Sequence, residues 1–230
     1  MGQLVGTGRS ADVFEHGEGK VLRRYRAARD TEREVAAMEH ARSHGFPAPA
    51  ARALNATDIV MDRVAGPTML TDLARRPWRM ARHATTLAEL HARLHRIAAP
   101  GWLDAPVGDG ASLLHLDLHP DNVLLAPGGP VVIDWPNAAS GPGAADVAHT
   151  WIVLACSLPP QGTYRRALSA AGRRRFLNLF LRHFRRDEIA PHLRAAGAFR
   201  LEKRVLPASE VDAVSKMVAQ AGRGGAKCGP

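Results

Sequence analysis

The stretch that most constrains this chain is LLHLDLHPDNVLLAPGGPVVIDWPN, residues 113–137. Two apolar runs, NVLL and VVID, flank APGG, and that arrangement predicts a β-hairpin. Six polar residues, His115, Asp117, His119, Asp121, Asn122 and Asp134, stand just before the hairpin and at its far end. Two short strands bring Asn122 and Asp134 near each other at the open end. Whatever fold the chain adopts must therefore gather several hard, oxygen-bearing groups there.

Zinc is the first chemistry to weigh. His115 and His119 are four apart and would share a helix face, but Pro120 follows directly. The alternation Leu114, Leu116, Leu118 argues for extended or turning backbone, and the glutamate base expected between such histidines is missing. His91 and His95 in LHARLH read in preference as buried or half-exposed core histidines. Oxygen donors suit Mg²⁺ better than zinc. Phosphoryl transfer needs an acceptor-orienting carboxylate, oxygen ligands for Mg²⁺ and cations around the phosphates. HLDLHPDN has the spacing of a kinase catalytic loop, His-x-Asp with Asn five residues after the Asp. Asp134, twelve residues beyond Asn122, stands where a second metal-binding carboxylate belongs.

The rest of the chain divides in character. LVGTGRSADVFEHGEGKVLRRY suggests two hairpin-connected strands. Residues 30–44 read as a helix capped by Asp30 or Thr31 and stopped by Gly45 and Pro47. ARALNATDIVMDRV returns to strand character with a turn at Asn55 to Asp58. Residues 79–97 carry Ala84, Leu87, Leu90, Leu94 and Ile97 at helical spacing, and 144–156 and much of 163–218 are again helical. No internal repeat is evident. The expectation is an α+β chain: a strand-rich N-terminal lobe over 1–64, a mainly helical lobe over 65–220, and a disordered tail over 221–230.

Charge matters through its distribution. The net charge is +9, and residues 165–204 hold 12 Lys or Arg against 3 Asp or Glu, so the remainder balances. Such a segment can attract nucleic acid, acidic lipid or an anionic substrate, or can be arginine on exposed helix faces. RRRFLNLFLRHFRR would suit a basic amphipathic helix on a membrane, yet Phe176, Leu177, Phe180, Leu181 and Phe184 at helical spacing favour core contacts. No apolar run reaches membrane-spanning length, and the N-terminus has neither a secretory pattern nor the Ser or Thr that myristoylation at Gly2 prefers. Cys156 and Cys228 do not make a disulfide framework, so a reducing cytoplasm is the expected compartment.

Over most of residues 4–155 the chain resembles the aminoglycoside phosphotransferase and choline-kinase-like family, small-molecule relatives of the protein kinases, in which IDW commonly replaces Asp-Phe-Gly. The resemblance implies a protein-kinase-like two-lobed fold and an ATP- and Mg²⁺-dependent kinase acting on a small-molecule hydroxyl. It implies that Asp117 orients the acceptor, Asn122 and Asp134 hold Mg²⁺, His115 supports the loop and Asp146 braces it from below. GTGRSADVF resembles the nucleotide-covering loop, with Gly6, Gly8 and Ser10 letting amides approach phosphate. Glu34 matches the helix glutamate that pairs with a phosphate-binding lysine, and the backbone from Asp62 to Val64 matches the adenine-holding linker.

One position departs from the family pattern: Arg23 stands where that lysine belongs, while Lys20 is out of phase and Arg24 points to the opposite sheet face. A catalytically weak or inactive nucleotide-binding pseudokinase is the alternative this departure keeps open, with a basic nucleic-acid- or membrane-surface binder ranked below it. The resemblance also implies an acceptor pocket built largely by the helices after Asp134, here the basic part of the chain, so a neutral or anionic acceptor is expected over a polycationic one by Coulomb attraction.

Overall fold

The computed structural model describes residues 2–157, 170–203 and 206–224. The first 25 residues form three strands and not the expected two: β1 (Leu4–Thr7), β2 (Ala11–Glu15) and β3 (Lys20–Tyr25). The extra strand arises because the Gly8 amide donates to the Ala11 carbonyl (2.8 Å), which reverses the chain after only four residues. Gly17 and Gly19, at φ 69° and 66°, close the second hairpin in a conformation that L side chains avoid.

α1 (Thr31–Ser43) starts where Asp30 accepts the Arg33 amide (2.9 Å) and ends before Gly45 at φ 76°. β4 (Ala51–Ala53) and β5 (Asp58–Asp62) follow, separated by a turn in which Asn55 Oδ1 accepts the amides of Thr57 (2.8 Å) and Asp58 (3.0 Å). The sheet is antiparallel in the order β1-β2-β3-β5-β4, so β3 is central. Strand alternation puts Val21 and Tyr25, with Arg23 between them, on the buried face, where Val21 and Tyr25 pack with Ala11, Ile59 and Met61. On the opposite face Lys20 pairs with Asp62 and Arg24 with Asp58.

α2 (Met69–Arg75) and α3 (Met80–Leu94) begin the helical part. α3 ends three residues before the limit read from its apolar spacing. The Ile97 carbonyl is needed by the Leu113 amide (2.8 Å), so the chain has already left the helix to run beside β6 (Ser112–Leu114). The hairpin expected from the sequence forms as β7 (Val123–Ala126) and β8 (Gly129–Val132), with Val123 opposite Val132. β9 (Ala139–Gly141) pairs with β6, and α4 (Gly143–Cys156) follows. The remaining helices are α5 (Ala170–Leu181), α6 (Arg186–Ile189), α7 (Leu193–Lys203) and α8 (Ala208–Gly224). α8 thus continues four residues into the segment read as a disordered tail. Residues 225–230, with Cys228, and residues 158–169, with Arg165 and Arg166, lie outside the described residues.

The main core joins α1, α3, α4 and α5 through Met38, Leu87, Leu90, Ile152, Phe176 and Phe180. Phe176, Leu177, Phe180 and Leu181 are buried and Phe184 packs against the same cluster, so the apolar stripe of α5 faces inward and is unavailable to a membrane surface. Among the described residues no helix is long and apolar enough to cross a membrane. Arg174, Arg175, Arg182, Arg185, Arg186 and Arg194 are exposed, but Arg200, counted with them from the sequence, is buried.

Candidate active site

Immediately after β6 the chain passes through Leu116 at φ 51°, a left-handed conformation that costs a non-glycine residue about 1–2 kcal/mol. Asp146, in the first turn of α4 and fully buried, holds this turn. Its carboxylate accepts the amides of Leu116 (2.8 Å) and His115 (3.2 Å) and the Nε2 of His95 (3.0 Å), with His91 Nδ1 at 3.6 Å. Burial alone would raise this carboxyl, but the bound imidazoles outweigh it and hold the group well below the usual range. α4 supplies a second tie through Thr150, whose hydroxyl donates to the Leu118 carbonyl (2.8 Å). Asp146 and Thr150 thus tie residues 115–118 to α4.

His115 is buried, with Nε2 on the Ile133 carbonyl (3.2 Å) and its ring edge-on to Trp135 (4.8 Å between centroids). Burial depresses its pKa despite the surrounding carboxylates, so the imidazole is neutral. Asp117 is 1% exposed. Asn122, in a 3₁₀ turn over 120–122, donates from Nδ2 to the Asp117 carbonyl (2.9 Å) and to Asp117 Oδ2 (3.2 Å). His119 Nε2 lies 3.6 Å from Asp117 Oδ1. The Ile133 amide donates to the Asn122 carbonyl (3.0 Å), which extends the hairpin ladder and sets Asn122 beside the start of Asp134. Asp134 is itself left-handed, at φ 70°. Leu116 and Asp134 are the non-glycine residues with positive φ among those described, and both sit at this cluster. Strain of that kind concentrates where geometry serves function.

The sheet reaches the same point. Arg23 Nη2 forms an ion pair with Asp134, and Nη1 one with Glu34 of α1 (3.2 Å). The Tyr25 hydroxyl donates to the other Glu34 oxygen (2.5 Å), and the guanidinium stacks 4.7 Å above the Tyr25 ring. Burial raises the Glu34 carboxyl, outweighing Arg23, and burial with Glu34 pushes the Tyr25 hydroxyl up. For Arg23 the two carboxylates outweigh burial, so it stays cationic.

The structure thus joins Glu34, Arg23 and Asp134 in one ionic chain and Asp117 with Asn122 by hydrogen bonds, at one hairpin end. Gly6, Gly8 and Ser10 lie in β1 and the turn after it, with the Gly8 amide engaged by Ala11 and the Ser10 carbonyl by the Arg26 amide (3.0 Å). Asp62 ends β5, and Val64 follows Arg63, whose amide donates to Gly19 (2.9 Å).

Two contributors escaped the sequence reading. Tyr25 is two residues from Arg23 on the same strand face, a signal that period-two alternation carries. Arg200 had no local signal: it comes from α7, and its Nη1 lies 3.8 Å from Asp117 Oδ1.

A family model described as the phosphotransferase enzyme family matches residues 2–111 and 72–192. Among solved structures, a thermostable mutant of aminoglycoside phosphotransferase APH(4)-Ia, in ternary complex with AMP-PNP and hygromycin B, is 18% identical with a TM-score of 0.63, covering 97% of this chain and 92% of that one. Plasmodium vivax ethanolamine kinase is 13% identical with a TM-score of 0.60, covering 95% and 81%. A choline/ethanolamine kinase family protein from Mesorhizobium loti is 14% identical with a TM-score of 0.57, covering 96% and 86%. No curated protein sequence matches the chain. With its antiparallel sheet and helical part, the chain belongs to the phosphotransferase enzyme family and has the protein-kinase-like fold.

Proposed function

We propose that this protein is an ATP- and Mg²⁺-dependent kinase that transfers the γ-phosphate to the hydroxyl of a small molecule. The observation that carries the reading is the convergence, at one hairpin end, of Asp117 bound to Asn122 with Asp134 bound to Arg23, which Glu34 holds from its other side. Asp117 is the catalytic residue, orienting the acceptor hydroxyl and accepting its proton. Asn122 turns its Nδ2 toward Asp117, and its carbonyl oxygen with the Asp134 carboxylate would hold Mg²⁺, which takes such hard donors. Bound there, Mg²⁺ would neutralise phosphate charge. Arg23, placed by Glu34, faces the α- and β-phosphates; the Gly6–Ser10 turn covers them, and the backbone from Asp62 to Val64 holds adenine. His115 and Asp146 support the loop. In this reading residues 1–64 carry the nucleotide and 65–220 the acceptor, in a reducing cytoplasm where Cys156 stays a buried thiol.

The acceptor is neutral or anionic. Arg200 places a cation 3.8 Å from Asp117, and the α5–α7 surface adds exposed arginines, so a polycationic acceptor would meet repulsion on this side. Screening an acceptor library for Mg²⁺-dependent ADP release, beside Asp117→Ala, tests the reading. Acceptor-dependent release that Asp117→Ala abolishes supports it, and release that survives the substitution refutes it.

The ion pair between Arg23 and Asp134 favours one second reading, a nucleotide-binding regulator whose metal carboxylate is already engaged. That protein would bind ATP without acceptor-dependent ADP release. Arg23→Lys separates the two, since restoring the usual point charge raises turnover only where the site is catalytic.

A further inference from the structure

Arg200 is 2% exposed, and two of its three guanidinium nitrogens are fully occupied from behind. Nε donates to Glu210 of α8 (3.0 Å), and Nη2 donates to Ser157 Oγ (2.7 Å) and to Glu210. Ser157, just beyond α4, donates to the same Glu210 oxygen (2.8 Å). The guanidinium is thus fixed by two separate segments. The third nitrogen, Nη1, is buried, has no hydrogen-bond partner among the described residues and lies 3.8 Å from Asp117 Oδ1.

A side chain placed only to tie α7 to α8 would not leave a donor stranded, since a buried unsatisfied donor costs about 1–3 kcal/mol. The separation is too long for a hydrogen bond and short enough for strong attraction in a water-poor interior. Asp117, in contrast, sits in a loop whose preceding residue is left-handed. Its carboxylate is approached by Asn122 at Oδ2 (3.2 Å), and by His119 (3.6 Å) and Arg200 at Oδ1.

We propose that Arg200 is a positioning residue for phosphoryl transfer, holding the Asp117 carboxylate in its working orientation from the α7–α8 side. The proposal rests on the kinase reading above. Asn122 fixes one carboxylate oxygen and the rigidly anchored guanidinium the other, so the acceptor hydroxyl meets an oxygen of fixed direction. Misplacement of a reacting group by about 1 Å can cost on the order of 10²-fold in rate.

The test measures ADP release with water as acceptor and with the best hydroxyl acceptor from the library, together with binding of trinitrophenyl-ATP and the melting temperature. Arg200→Met should lose on the order of 10²-fold in kcat, with the KM for ATP within about twofold of wild type. Arg200→Lys should recover part of that loss, since it keeps the charge without the fork. Wild-type kcat in a folded Arg200→Met protein overturns the proposal. Where the Met variant does not fold, Arg200→Lys decides. An ammonium cannot span Glu210, Ser157 and Asp117 at once, so a reduced kcat with intact nucleotide binding supports the proposal and wild-type kcat overturns it. Parallel losses of kcat, nucleotide binding and melting temperature show a structural role alone and also overturn it. A wild-type protein that releases no ADP with either acceptor defeats the kinase reading and the proposal together. An active wild type with unaffected variants defeats only the proposal.

Discussion

Replacing Asp146 by Asn is the substitution whose cost the structure specifies most fully. The carboxylate takes two backbone amides and one imidazole at 2.8–3.2 Å with no solvent contact, and His91 stands 0.4 Å beyond the 3.2 Å bond, at 3.6 Å. Asn has the same shape but one acceptor oxygen, and its amide nitrogen would face donors. Removing one partner of a buried charged cluster costs about 3–5 kcal/mol, and each stranded donor about 1–3 kcal/mol. Local relaxation of the loop limits the sum, and Leu116 offers a route, because leaving its left-handed turn recovers about 1–2 kcal/mol. The net expectation is a loss of about 4 kcal/mol, a large share of the stability of a domain. For a chain of this size that is a fall in melting temperature of about 8–16 °C. Thermal unfolding followed by circular dichroism, with urea titration as a check, measures it. A shift below about 2 °C would refute the claim that Asp146 holds the loop, whatever the effect on activity.

Other consequences follow from the same contacts. His91 and His115 are buried with pKa values pushed below the ordinary 6.5 by burial. The unfolded chain therefore binds protons that the folded chain refuses, and stability that is full above about pH 6.5 is lost as pH falls through the depressed values. Asp146, held below its ordinary 3.8, adds a further loss at still lower pH. The urea midpoint should hold from pH 7.5 to about pH 6.5 and decline from there to pH 5; a flat profile contradicts the assignment of neutral buried imidazoles. Tyr25→Phe removes the 2.5 Å hydrogen bond to Glu34 and should cost about 1–3 kcal/mol in urea unfolding. The same change should weaken ATP binding, because Glu34 then positions Arg23 less well; unchanged stability and binding would show the bond to be idle. Arg23→Lys should raise kcat at saturating ATP and lower the Mg²⁺ concentration for half-maximal rate, since the bridge to Asp134 is released. Equal rates for the two proteins would mean that the bridge does not restrain the site.

Much of the site was legible because its members lie close together in sequence. HLDLHPDN and IDW are joined by a hairpin that turn residues announce, so the meeting of Asn122 and Asp134 follows from local rules. Glu34 and Arg23 were readable through the family resemblance, with strand alternation serving only to set Lys20 and Arg24 aside. Local rules failed at two kinds of place. Element limits moved where distant hydrogen bonds decided them, as at Ile97, whose carbonyl serves Leu113, and at the Gly8 turn that makes a third strand. Arg200 failed more completely: net charge placed it on a basic surface, and only the packing of α7 against α4 and α8 turns it inward toward Asp117. Pairing between residues 83 positions apart leaves no mark on either neighbourhood.

In the proposed reaction Asp117 directs phosphate from ATP to a hydroxyl. The most direct measurement of that role is the kcat of transfer to an identified acceptor, together with the dissociation constant for ATP, in wild type and Asp117→Ala. With Asp117 in that role, kcat falls by about 10²–10⁴-fold while ATP affinity stays close to wild type. Transfer at the wild-type rate without the Asp117 carboxylate would contradict it.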